Sequence, residues 1–162
     1  MILIALGANL PSKTGPPADT LRAALAQFGQ QNVFVRAVAP FYRSSAWPDP
    51  GDPPFVNSIA HVETQRDPAS LLAALKEIER AHGRMPGKRN APRPLDLDII
   101  DYDGRIANGP PTLPHPRLHE RGFVLIPLYD IAPGWRHPVW DKGVIELIDA
   151  LPPAARMLTT LS

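Results

Sequence analysis

Cysteine is absent from the 162 residues, so disulfides, thiol nucleophiles and thiolate metal sites are excluded. Long apolar runs are lacking too, and nothing approaches the roughly 20 residues that a membrane-spanning helix needs. The opening Met1-Ile2-Leu3-Ile4-Ala5-Leu6-Gly7 has no charged n-region and is too short for a signal segment, so a cytoplasmic protein away from membranes is expected. Nor is there an excess of charge of one sign. Seventeen Lys and Arg face 16 Asp and Glu, a net charge of +1, which leaves no long basic face for nucleic acid. Walker and protein-kinase signatures are missing, so any nucleotide site must be of another type. What is present is 44% hydrophobic and 20% charged residues, the balance of a globular chain that fits one domain over 1–162. The 21 prolines are clustered and predict stiff, long loops between short elements.

Ile2 to Leu6 reads as a buried strand, followed by a helix at about Asp19 to Phe28 with Leu21, Ala24, Leu25 and Phe28 on one stripe. Val33 to Phe41, rich in β-branched and aromatic residues, predicts a second strand. Phe55 to Thr64 predicts a third, with Val56, Ala60 and Val62 on one face and Phe55, Asn57, Ile59 and His61 on the other. Asp67-Pro68 is a helix start, an N-cap acid before proline at the first helical position. Leu71, Leu72, Leu75 and Ile78 give that helix its apolar stripe, and Gly83 ends it. Leu95 to Tyr102 predicts a fourth strand. The order βαββαβ predicts an α+β, ferredoxin-like sheet with its helices on one face and the other face free. Residues 103–162 read as a C-terminal extension with a Pro-rich stretch, an apolar segment from Phe123 to Ile131 and a short helix near Val144 to Leu151. The long connections at 43–54 and 83–94 are expected to act as lids.

On the fourth strand, Leu95, Leu97 and Ile99 alternate with Asp96 and Asp98. Both acids therefore face away from the core, with Cα atoms about 6.6 Å apart. Such a pair repels itself unless a cation lies between, and Mg²⁺ with a phosphate substrate as its other ligand suits that position. The plain alternative is an edge strand with two solvated acids. Just upstream, Arg84, Lys88, Arg89 and Arg93 lie in a Pro- and Gly-punctuated loop. Arginine grips phosphate oxygens through paired donors and lysine acts as a mobile charge. Acids and cations side by side make sense if a polyphosphate lies between them.

The run Arg93-Pro94-Leu95-Asp96-Leu97-Asp98-Ile99 resembles the signature of the 6-hydroxymethyl-7,8-dihydropterin pyrophosphokinase family. Leu6-Gly7-Ala8-Asn9-Leu10 is similar to that family's first-strand motif, Phe41-Tyr42-Arg43-Ser44-Ser45 to the start of its pterin loop, and Phe55-Val56-Asn57 to its pterin-reading strand. Ile78-Glu79, Gly83-Arg84, Pro114-His115-Pro116-Arg117, Glu120-Arg121-Gly122-Phe123 and Pro127-Leu128 follow in the family's order. The resemblance implies transfer of the β,γ-pyrophosphoryl group of ATP to the pterin hydroxymethyl oxygen, releasing AMP, in folate biosynthesis. It implies a catalytic set of Asp96, Asp98, Arg84 and Arg93, with two Mg²⁺ ions on Asp96 and Asp98. Arg84, Arg89, Arg93, Arg121 and His115 would grip the triphosphate, and Lys76, Glu79, Lys88, Ile99 and Thr112 would complete the ATP site. Ser44, Ser45, Phe55, Asn57 and Phe123 would form the pterin pocket, the ring stacked between Phe55 and Phe123. Trp47 stands where the family carries an aliphatic residue and would join the pterin pocket, stacking on the ring or shielding the pocket mouth. The chain also departs from the pattern: Arg-Trp-Gly-Pro-Arg becomes Arg89-Asn90-Ala91-Pro92-Arg93, so weaker loop closure over ATP is expected.

Other readings fit less well. His115 and His119 have a zinc-compatible spacing, yet Pro116 follows at once and no further ligand pattern accompanies them. An RNA-binding module of this strand order would show aromatics on its central strands, where this chain has apolar and acidic residues. Two alternatives from other classes stay open, a pterin- or nucleotide-binding relative without turnover and a metal-dependent phosphohydrolase. The expected partners are ATP and the pterin, and a monomer suffices.

Overall fold

The computed structural model describes residues 1–45, 50–84 and 93–161. Its main elements are β1 (Ile2–Ala8), α1 (Pro17–Gln27), β2 (Val33–Val38), β3 (Tyr42–Ser44), β4 (Phe55–Thr64) and α2 (Pro68–Ala81). They continue with β5 (Asp96–Tyr102), β6 (Ala107–Asn108), β7 (Thr112–Leu113), α3 (Gly122–Ile131), α4 (Val144–Asp149) and β8 (Thr159–Thr160). The expected βαββαβ order is therefore present, with β2 and β3 sharing the place of the second strand.

The main sheet runs β5-β1-β4-β3-β8, and β2 also pairs with β4. β2 lies along the far half of β4, Val33 opposite Thr64 to Val38 opposite Ala60, and β3 along the near half, Tyr42 opposite Asn57. They form one line along the same edge, interrupted where Pro40 brings no N–H to the ladder. The single strand expected from Val33 to Phe41 is broken there for that reason.

Helix α2 begins as its sequence dictates. Asp67 caps it, the side chain accepting from Ser70 N at 2.8 Å, and Pro68 occupies the first turn. Past Ala81 the chain turns at Gly83 with φ +88°, a conformation open to glycine. Helix α1 starts at Pro17, ahead of the expected Asp19, because proline is compatible with a first helical turn.

Beneath these two helices Ile4, Leu6, Val56, Ala60, Val62, Leu97 and Ile99 pack with Leu21, Phe28, Leu71, Leu75 and Ile78. Each of these side chains except Ala60 contributes about 1.5–3 kcal/mol when fully buried. The opposite sheet face is not free, and here the expectation of helices on one face fails. Leu3, Ile59 and Ile100 are buried under Leu118, Val124, Leu125 and Leu128, with Val144 and Leu147 of α4 behind. α3 covers them. It is apolar almost all round and contains Pro127, so no amphipathic stripe marked it in the sequence. A bulge serves this second core. The β1–β5 register shifts after Ile4 opposite Ile99, so that Ile100 and Asp101 both serve the α3 side.

Candidate active site

Directly opposed residues in a sheet present their side chains on the same face. Gly7 of β1 opposes Asn57 on one side and Asp96 on the other. Ala5 likewise opposes Ile59 and Asp98, while Tyr42 opposes Asn57 and Ser44 opposes Phe55. One line across four strands thus reads Asp96, Gly7, Asn57, Tyr42. At the usual strand spacing Asp96 and Asn57 lie about 10 Å apart, room for a ligand with a flat ring at one end and phosphates at the other.

Gly7 is required in that line. A Cβ built on it would sit 2.8 Å from Asn57 Oδ1. Asn57 is buried and donates from Nδ2 to Ser44 Oγ at 3.0 Å, so its amide is fixed with Oδ1 over the glycine. Phe55 and Phe123 are both half-buried. Arg121 lies over the Phe123 ring at 5.5 Å and close enough to Asp98 to draw that acid toward ionisation.

At the acidic end, Arg84 Nη1 donates to Asp96 Oδ1 at 2.5 Å, to Leu95 O at 3.2 Å and to Glu79 Oε2 at 3.3 Å. Arg93 lies 3.5 Å from the other oxygen of Asp96. Burial works against the Arg84 charge, yet Asp96, then Glu79 and Asp98, hold its guanidinium above the ordinary value. Glu79, 2% exposed, accepts from Leu97 N at 2.7 Å and pairs with Lys76 at 3.4 Å, and burial pushes its carboxyl up. It is the post that ties α2 to β5. Burial, then the charge of Asp96, pushes Asp98 up to about 7, with Arg121 partly opposing. A carboxylate pair in which one member resists ionisation lacks positive charge at that spot.

Asn9 joins the two long loops. Buried at 2% exposure, it accepts from Arg93 N at 2.8 Å, donates from Nδ2 to Pro53 O at 3.1 Å, and gives its own N–H to Arg93 O at 3.2 Å. It stood in a quoted motif but not among the expected site residues. An asparagine just past a buried strand, before a leucine and a proline, was the signal for it.

The family model for 7,8-dihydro-6-hydroxymethylpterin-pyrophosphokinase (HPPK) matches residues 3–133. The chain belongs to the HPPK family. Three relatives share the name 2-amino-4-hydroxy-6-hydroxymethyldihydropteridine pyrophosphokinase. That of Haemophilus influenzae is 39% identical over 131 residues, covering 80% of this chain and 79% of that protein. That of Pseudomonas aeruginosa is 37% identical over 153 residues, covering 93% and 91%, and that of Synechocystis sp. is 36% identical over 149, covering 91% and 74%. Among solved structures, wild-type HPPK-DHPS of Plasmodium falciparum with pteroate superposes at a TM-score of 0.69 over 91% of this chain with 12% identity, a likeness of fold. This chain spans 41% of that one.

Within this HPPK chain the structure brings Asp96, Asp98, Arg84, Arg93, Arg121, Lys76 and Glu79 together around the start of β5. His115 docks further along β5, its backbone N–H donating to Ile100 O at 2.9 Å while its ring Nδ1 accepts from Arg117 N. Ser44, Phe55 and Asn57 share the same face, and Ser45 follows at the exposed end of β3. Ile99 stands apart, its side chain buried in the α1–α2 core on the opposite face, so only its backbone faces the sheet edge. Thr112 is exposed on β7 and donates to Asn108 O at 3.3 Å. Trp47, Lys88 and Arg89 lie outside the described residues. No helix among the described residues is long and apolar enough to cross a membrane.

Proposed function

We propose that this chain transfers the β,γ-pyrophosphoryl group of ATP to the hydroxymethyl oxygen of 6-hydroxymethyl-7,8-dihydropterin, as a pyrophosphokinase of folate biosynthesis. The hydroxyl oxygen bonds to Pβ, the bond from Pβ to the bridging α,β oxygen breaks, and AMP leaves with that oxygen. The observation that carries this reading is the line Asp96–Gly7–Asn57. It sets two acids with their arginines and a fixed amide beside Phe55 on one sheet face, which α3, bearing Phe123, covers. The relatives' names agree with it.

Asn57, Ser44, Phe55 and Phe123 hold the pterin. The amide offers a donor and acceptors to the mixed pterin edge, and the two rings clasp its faces. Ser45 and Trp47 complete the pterin pocket. Arg84 and Arg93, which hold Asp96 here, move onto phosphate oxygens when ATP enters, joined by Arg121, His115, Lys88 and Arg89. Lys76 and Glu79 keep Arg84 aimed, and Ile99 and Thr112 lie along the nucleotide edge.

Asp96 and Asp98 fit hard divalent cations. Both offer carboxylate oxygens on one face, Asp98 is held short of positive charge, and Mg²⁺ is commonly bound by one or two carboxylates plus substrate phosphates. When bound there, two Mg²⁺ ions neutralise phosphate charge and polarise the attacking oxygen. Pyrophosphoryl transfer needs chiefly positioning and charge neutralisation, which this set of side chains supplies. The test is AMP formation from ATP and Mg²⁺ with and without the pterin alcohol. Pterin-dependent AMP supports the transferase. Phosphate release that ignores the pterin would make the chain a hydrolase, and binding without turnover would make it a binding module.

A further inference from the structure

The α3 layer is tied to the sheet by side-chain hydrogen bonds toward two different edges. Toward β5, buried Trp135, just past α3, donates from Nε1 to Oδ2 of buried Asp101 at 2.8 Å. Toward β3, Tyr42 Oη donates to Oδ2 of Asp130, in the last turn of α3, at 2.5 Å. Burial, then Asp130, pushes the Tyr42 phenol up to about 12. The first tie is locked in the core, on the half of β5 beyond the acids. The second lies at the surface, on the side of the sheet where Ser44 and Asn57 stand.

We propose that the Tyr42–Asp130 hydrogen bond is a positioning strut that sets the opening between α3 and the sheet in which the pterin ring is held. This rests on the function proposed above. Tyr42 and Ser44 are two apart on β3 and so share a face, and Tyr42 directly opposes Asn57. Strand β3 is itself fixed on both edges. β4 lies on one side and β8 on the other, Arg43 opposite Thr159 and Tyr42 opposite Thr160, with Leu161 N donating to Phe41 O at 2.9 Å. The sheet wall that carries Ser44, Phe55 and Asn57 is therefore held at both edges. α3 is packed through Val124, Leu125 and Leu128, and its first turn, which bears Phe123, is seated where Gly122 meets the Ala155 carbonyl. The strut ties the other end of the helix, its last turn, to the strand beside Asn57. With the strut removed, that end alone is loosened, so the opening widens beside Asn57 and stays unchanged beside Asp96. Tyr42 touches no reacting atom; it acts through the seat of the last turn of α3.

The experiment measures KM for each substrate and kcat in the Tyr42→Phe and Asp130→Asn variants, starting from a wild type that forms AMP. A hydrogen bond worth about 0.5–1.5 kcal/mol net corresponds to a change of about two- to twelvefold. Tyr42→Phe should raise KM for 6-hydroxymethyl-7,8-dihydropterin by about three- to tenfold and leave KM for ATP within about twofold. Asp130→Asn keeps an oxygen that accepts from the phenol and should restore near-wild-type values. Asp130→Ala should reproduce the split seen with Tyr42→Phe, which keeps the test decisive if the phenylalanine variant folds poorly. The proposal is overturned if the pterin KM does not move, if both KM values rise together, or if Asp130→Asn is as damaging as Tyr42→Phe. A wild type without pterin-dependent AMP formation would instead fail the function on which the strut rests.

Discussion

Gly7→Ala separates the pterin end of the site from its phosphate end. The φ of Gly7 is compatible with an L side chain, so the backbone of β1 can keep its path. The new methyl cannot keep its space. It falls 2.8 Å from Asn57 Oδ1, where ordinary contact begins near 3.4 Å, so the amide must retreat by about 0.6 Å. Asn57 is buried and its Nδ2 is held by Ser44, which leaves few places to go. Losing that bond costs about 0.5–1.5 kcal/mol net, and about 1–3 kcal/mol if the donor stays buried and unpaired. A misplacement of this size at a recognition group weakens pterin binding by about ten- to a hundredfold. The acids are spared, because no Asp96 or Asp98 atom is among the nearest neighbours of the added carbon. Titration calorimetry with the pterin alcohol, and separately with a non-hydrolysable ATP analogue and Mg²⁺, reads both ends. The reasoning fails if pterin affinity stays within about threefold of wild type, or if both ligands weaken equally.

Four further outcomes are expected. Asp98 holds its proton up to about pH 7 in the native state against 3.8 ordinarily, so its ionisation destabilises the metal-free fold. That penalty is absent below about pH 4, complete above about pH 7, and missing from Asp98→Asn. Thermal melts with EDTA should show wild type losing ground to this variant as pH rises through that window, while Asp98→Ala abolishes Mg²⁺-dependent binding of the ATP analogue. Asp67→Ala removes the α2 cap and should lower stability by about 1 kcal/mol, a Tm drop of about 2–4 °C, with AMP formation unchanged. Gly122→Ala would place a carbon 1.7 Å from the Ala155 carbonyl oxygen, which is backbone and has no rotamer to yield. Denaturant unfolding should show a loss of about 1–3 kcal/mol or more.

Much of this was legible because strands write their faces into alternating residues. Leu95, Leu97 and Ile99 went to the core and Asp96 and Asp98 to the other side, as their spacing requires. Phe55 and Asn57 likewise share the face opposite Val56. The Asp67-Pro68 start was legible because cap chemistry is local. α3 was not, since a helix apolar all round and holding Pro127 has the composition of several buried elements and the periodicity of none. The bulge at Ile100 was hidden because it depends on the register with β1. Glu79 was expected in the ATP site. Only the fold shows that Leu97 N, Lys76 and Arg84 already claim its oxygens. β8 was invisible because two threonines carry no pattern.

That last strand has a consequence for how the protein keeps to itself. Without Thr159 and Thr160 against it, β3 would bare one row of unpaired amides along the sheet edge. Such a row readily recruits a stray strand from a neighbouring molecule. Two threonines thus act as a cover, and any change that lifts them turns the pterin wall into a sticky border.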